Sequence, residues 1–159
     1  METIYDNLLF IKEAREESAL KRLRQVRQTL VKAQNEVVHK EEALQTHIDW
    51  REAEEVRLYE VIDDQPIKLK EIEAFQARIA LMRGRDSEFT AAIIEAKEAV
   101  MQAREALLGA EADYQKAAAT TNKFVELSQQ NKALLLKDAE YKEDLELEEF
   151  TGKEVKTTG

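Results

Sequence analysis

From Ile72 to Leu135 the chain holds one spacing without a break: Ile72, Phe75, Ile79, Met82, Asp86, Phe89, Ile93, Ala96, Val100, Ala103, Leu107, Ala110, Tyr114, Ala117, Thr121, Phe124, Ser128, Asn131 and Leu135. Steps of three and four place these residues along one side of an α-helix. A period of 3.5 sustained over about nine heptads requires a partner helix and a left-handed supercoil. Ala96, Ala103, Ala110 and Ala117 recur at one heptad position, where small side chains allow the partner backbone to come close.

The partner lies earlier in the same chain. Thr3 with Asp6 three residues later reads as a helix N-cap with an acidic third position, and Ile4, Leu8 and Ile11 follow on one face. The spacing continues through Leu23, Val26, Leu30, Ala33, Val37 and Leu44, then resumes after a slip at Leu58, Val61 and Ile62. The single proline stands in Asp63-Asp64-Gln65-Pro66, where it suits the first turn of a new helix whose dipole the two Asp would complement. A short connection makes consecutive helices antiparallel. The expected architecture is all-α, a long antiparallel two-helix coiled-coil hairpin in a single elongated domain over 1–159. Helix one covers about 3–63, the turn 63–66 and helix two about 66–150, with a flexible tail at 151–159 beginning at Thr151-Gly152. At a 1.5 Å rise the helices reach roughly 90 and roughly 120 Å, so helix two overhangs its partner from about residue 127. That overhang is acidic from Asp138 to Phe150.

Four Gly and one Pro in 159 residues are too few to punctuate a rounded fold, which agrees with this reading. With no Cys there is no disulfide framework, thiolate metal site or cysteine nucleophile. His39 and His47 lie two helical turns apart without a third ligand, so no metal or cofactor is expected. Neither a glycine-rich phosphate loop nor a hydrolase or zinc-protease motif is present, and a two-helix hairpin offers no water-excluding pocket. No catalytic residue is assigned. A net charge of -9 disfavours nucleic acid as a partner. No stretch approaches the roughly 20 apolar residues needed to span a bilayer, and the N-terminus lacks a secretory signal, so a cytoplasmic protein without membrane insertion is expected.

What remains is a surface for other proteins. Residues 18–34 hold Lys21, Arg22, Arg24, Arg27 and Lys32 without an acid, either a solvated face or a strip for an acidic partner or for Glu98 and Glu105 of the second helix. Trp50, Arg51, Arg57 and Tyr59 combine aromatics with arginine as interface hot spots do. Polar residues interrupt the seam at Lys40, His47, Arg51 and Glu54 and at Asp86, and pairing of Asp86 with Lys40 or His47 would fix the register.

The order of motifs along nearly the whole chain resembles the YscO/FliJ family. An N-terminal Leu8-Leu9, Ile11-Lys12 and Arg15-Glu16 run is followed by Trp50-Arg51 with Glu54, Arg57, Leu58 and Tyr59, then Lys123-Phe124 with Leu127, and an acidic Glu146-Leu147-Glu148-Glu149-Phe150 ending. The Trp-Arg segment and the Glu-Glu-Phe ending are more similar to the YscO branch of virulence-associated type III secretion than to its flagellar counterpart. The resemblance implies a non-enzymatic central stalk of the export apparatus, similar to the coiled coil of the rotary ATP synthase gamma subunit. It further implies binding to the hexameric secretion ATPase, contact with the export gate protein and, in some members, binding of translocator chaperones. By that analogy Leu8, Ile11, Lys12, Arg15, Lys123, Phe124 and Leu127 would enter the ATPase ring at the open end. Two other readings stay open: a structural scaffold that self-associates through a face beyond the seam, and a chaperone-like escort using Leu134, Leu135 and Leu136.

Overall fold

In a computed structural model, which describes residues 3–64, 66 and 68–157 and side chains as far as Gly152, the chain forms two helices, α1 (Ile4–Asp63) and α2 (Leu69–Thr157). Gln65 of the expected turn and the last two residues of the expected tail lie outside the described residues. The fold is all-α, a coiled-coil hairpin. It packs as two compact units, Met1–Leu23 with Ala110–Gly159, and Arg24–Gly109.

In the first unit Asp6 meets Ser128 and Lys12 meets Thr121, so the α2 partner number falls as the α1 number rises. In the second unit Glu41 meets Lys97, His47 meets Asp86, and Glu54 meets Arg78, in the same antiparallel sense. The α2 seam follows the heptad closely. Ile79, Met82, Ile93, Ala96, Val100, Ala103, Ala110, Thr121 and Ser128 are buried, and Phe89, Leu107, Tyr114, Ala117, Phe124 and Asn131 are half-buried. A fully buried Ile, Val or Met contributes about 1.5–3 kcal/mol, and because each residue meets only its neighbours across the seam, this stabilisation is spread thinly along the helices.

Two parts of the α1 seam differ from the sequence reading. Near the N-terminus the packed row is Tyr5, Leu9, Lys12, Glu16 and Leu20, all half-buried, whereas Ile4 and Ile11 are exposed. The long stems of Lys12 and Glu16 can cover the seam while their charged ends stay wet. Farther along no slip occurs. The seam runs from Leu44 through His47, Arg51 and Glu55 to Leu58 and Ile62, with polar residues at core positions, and Val61 is exposed.

The ends also differ. The first helical hydrogen bonds of α2 run from Glu71 N and Ile72 N to Lys68 O, so the helix starts three residues after Pro66, and Glu71, not the Asp pair, provides the acid of its first turn. Asp63 instead closes α1, whose last turn holds no basic residue. At the other end α2 passes Gly152 without a left-handed glycine among the described residues, and the Thr151 hydroxyl donates back to Leu147 O at 2.9 Å. Gly costs about 1 kcal/mol inside a helix, which slows propagation without stopping it. From Lys132 to Gly152 every residue of α2 is exposed, which gives the overhang.

Candidate interaction sites

In the unit that joins the N-terminal part of α1 to the C-terminal part of α2, the start of α1 is fixed by a reciprocal cap. Asp6 N donates to Thr3 Oγ1 at 3.3 Å, and Thr3 N donates to Asp6 Oδ2 at 3.1 Å. The other oxygen of Asp6 accepts from Ser128 Oγ at 2.8 Å and lies 3.4 Å from Lys132 Nζ. The Ser128 hydrogen bond, then the Thr3 backbone and Lys132, hold the Asp6 carboxyl at about 2, below its ordinary 3.8. One carboxylate therefore both caps α1 and ties it to α2.

Two turns later Lys12 Nζ stands 5.4 Å from the centre of the Phe124 ring, within reach of a cation–π attraction, and Thr121 Oγ1 lies 3.2 Å from Lys12 O. These contacts hold Ile4, Leu8, Ile11 and Arg15 along one row beside the seam, at steps of four, three and four. Leu8 is half-buried, while Ile11, Arg15, Lys123 and Leu127 are exposed. Lys12 and Phe124 are thus engaged with each other, and the exposed neighbours form a mixed apolar and basic surface.

In the unit of Arg24–Gly109, the polar interruption of the seam is a connected layer. His47, Arg51 and Glu55 follow at four-residue steps on α1 and face Met82, Arg83 and Asp86 of α2. The Arg51 guanidinium reaches both Asp86 oxygens, Nε to Oδ1 at 3.2 Å and Nη2 to Oδ2 at 3.0 Å, and also lies 3.3 Å from Glu55. Arg83 donates twice to Glu55, at 2.9 and 3.3 Å. His47 Nε2 lies 3.0 Å from Asp86 Oδ1 and 3.1 Å from Met82 O, two groups that only accept, so this nitrogen carries the hydrogen. Its ring stacks on Phe89 with centroids 4.8 Å apart. Arg83, then Arg51, pulls Glu55 below the usual carboxylate range despite burial, and Arg57 does the same for Glu54. No buried side-chain polar atom among the described residues lacks a partner.

Asp86 thus pairs with His47, and with Arg51 as well, while Lys40 pairs with Glu36 on its own helix. Of the four turn-side candidates, Arg51 is turned into the seam. Trp50 is half exposed beside His47, at 5.9 Å between rings, Arg57 is exposed but held by Glu54, and exposed Tyr59 meets Phe75 edge-on at 5.2 Å. Tyr59, Ile62, Phe75 and Ile79 line an open apolar groove of about 510 Å³. The basic residues Lys21, Arg22, Arg24, Arg27 and Lys32 are exposed, and among the described residues none pairs with Glu98 or Glu105. No group of three potential metal ligands occurs among the described residues, and no helix there is long and apolar enough to cross a membrane.

The family described as type III secretion protein YscO matches residues 5–153, nearly the whole chain and both units. The chain belongs to the YscO family. A crystal structure of the type III secretion protein YscO from Vibrio parahaemolyticus superposes on it with a TM-score of 0.84 and 31% identity, covering 92% of each chain. No curated protein matches it. The Asp6–Ser128 pairing and the His47–Arg51–Asp86 layer of this YscO-family chain both fall inside the matched residues. Membership makes it a type III secretion protein. Ile11 and Arg15, expected to face a partner, are exposed, whereas the packed row of Tyr5, Leu9, Lys12 and Glu16 has no counterpart in the sequence reading, and its three–four spacing is the signal that could have revealed it.

Proposed function

We propose that this chain is a non-enzymatic stalk on the cytoplasmic side of a type III secretion apparatus, where it binds the secretion ATPase hexamer and couples it to the export gate. The observation that carries this is the surface around the Lys12–Phe124 contact. There two paired helices present Ile11, Arg15, Lys123 and Leu127 outward, although Ile11 and Leu127 would gain free energy by burial. A narrow two-helix element fits within a ring whose subunits occupy different states, and coupling follows if it binds those states with different affinity. Trp50, Arg57 and Tyr59 supply a second contact surface, suited to the gate protein.

An escort role toward translocator chaperones is the second reading. It is favoured by the exposed Leu134, Leu135 and Leu136 run, which no part of α1 covers.

The test is binding of the full chain to a purified secretion ATPase, compared with Ile11→Asp combined with Leu127→Asp. Both residues are exposed, so the variant should keep its helicity and melting temperature while its affinity falls at least tenfold. Unchanged affinity of the folded variant would move the ATPase contact elsewhere, and absence of ATPase binding with capture of a translocator chaperone would favour the escort.

A further inference from the structure

Beyond the seam, the unit of Arg24–Gly109 carries a second ordered surface. On α1, Arg24, Arg27, Val31, Gln34 and Val38 follow at steps of three and four and so share one helix face. On α2, Ile94, Lys97, Met101, Arg104 and Leu108 do the same. The two rows meet at a groove of about 330 Å³ lined by Gln34, Val37, Lys97, Val100, Met101 and Arg104. Val31, Val38, Ile94, Met101 and Leu108 are each half exposed or more, although a solvated face of a coiled coil is ordinarily polar. The polar residues among them are mostly basic, and Glu41 lies 3.9 Å from Lys97. Two helices thus present apolar residues at seven-residue intervals with cations between them, the pattern a third helix packs against.

The chain contains a helix with the opposite chemistry. On the overhang, Leu134, Asp138, Tyr141, Leu145 and Glu148 lie along one face at steps of four, three, four and three, all exposed. Between Asp138 and Phe150 the only base is Lys142, which is occupied by Asp138 at 3.5 Å. The geometry points to a second copy of this chain as occupant: the acidic, leucine-bearing overhang of one copy lies as a third helix in the basic, apolar groove of the other. The apolar rows share a seven-residue period, Met101 to Leu108 against Leu134 to Tyr141, so knobs and holes can stay in step along both. The charges select the partner surface, since overhang against overhang sets acid against acid. A two-fold axis lets each copy give an overhang and receive one, which closes the assembly at two. The rows named here share no residue with the ATPase-facing set of Ile11, Arg15, Lys123 and Leu127.

The chain has no cysteine of its own, which allows a direct test on the full length. Chains bearing Met101→Cys and Tyr141→Cys, mixed under mild oxidation, should form the mixed disulfide at least tenfold faster than Met101→Cys with Glu73→Cys as control. Sedimentation equilibrium should give a monomer–dimer equilibrium that Met101→Glu with Leu108→Glu weakens at least tenfold. Arg24→Glu with Arg104→Glu should weaken it as well, with recovery when mixed with a chain carrying Asp138→Lys and Glu148→Lys. Each variant changes exposed residues, and circular dichroism checks that it remains helical. A chain that is monomeric at 500 μM, or a dimer that links Met101→Cys only to itself and ignores the charge exchange, would overturn the proposal.

Discussion

Ser128 donates a 2.8 Å hydrogen bond to Asp6, a carboxylate that also caps the helix it begins. This joins the local stability of the α1 N-terminus to its pairing with α2, and it gives that end of the molecule a defined response to acid. The Asp6 pKa is depressed in the folded state, to about 2 from 3.8. Its stabilising contribution is therefore complete above about pH 4 and is lost as pH falls from there toward 2. Glu54 and Glu55, also depressed by arginine partners, lose their contributions in the same direction. The melting temperature should fall across this window, and Asp6→Asn should remove part of the dependence. Replacing Ser128 by Ala should raise the Asp6 pKa in an NMR titration, since that hydroxyl is the largest cause of the shift.

The layer of His47, Arg51, Glu55, Arg83 and Asp86 is balanced, with two arginines against two carboxylates when His47 is neutral. Asp86→Leu leaves Arg51 sharing Glu55 with Arg83 and removes one acceptor from His47. Because Asp86 keeps a partly wet side chain, the loss should be about 1–3 kcal/mol, less than for a deeply buried pair. Chemical denaturation measures it. Joint replacement of His47, Arg51 and Asp86 by Leu should recover most of that stability while broadening the helix–helix distances seen by paired spin labels, because the layer distinguishes one register from its neighbours.

Gly84 lies within α2, and a Cβ at that position would meet nothing within 4 Å. Gly84→Ala should therefore stabilise by about 0.5–1 kcal/mol through backbone entropy alone. Thermal melts measure the gain, and a loss would show that this stretch of α2 is not helical in solution.

Ala103 is a seam residue only 6% exposed. Ala103→Leu inserts three carbons at a buried seam position, and about 1–3 kcal/mol should be lost. A stabilised variant would mean that the seam has slack.

The sequence was most readable where the seam is apolar. From Ile79 to Ser128 the three–four rhythm of α2 coincides with the buried and half-buried set, because its seam positions, Asp86 apart, are mostly filled by residues whose burial is favourable. It misled where composition and position part. Lys12 and Glu16 occupy core positions on their stems, while Ile4, Leu8 and Ile11 keep the rhythm on the neighbouring row, so the more apolar pattern there is not the packed one. The apparent slip before Leu58 has the same origin, since His47, Arg51 and Glu55 continue the seam with charge. Pairing of Asp86 with His47 was legible from antiparallel folding, whereas the share taken by Arg51 depends on a side-chain reach that spacing does not report. Arg51 read both as a seam interruption and as a partner candidate, and its guanidinium lies in the seam on Asp86 and Glu55, whereas Arg57 stays exposed.

The most direct test of the stalk role is the stoichiometry of ATPase stimulation. Titrating the full chain into a preassembled secretion ATPase hexamer should raise the hydrolysis rate to a plateau at about one chain per ring, because a central element occupies a single axis. A plateau at one chain per ATPase subunit, or no change in rate despite binding, would contradict it.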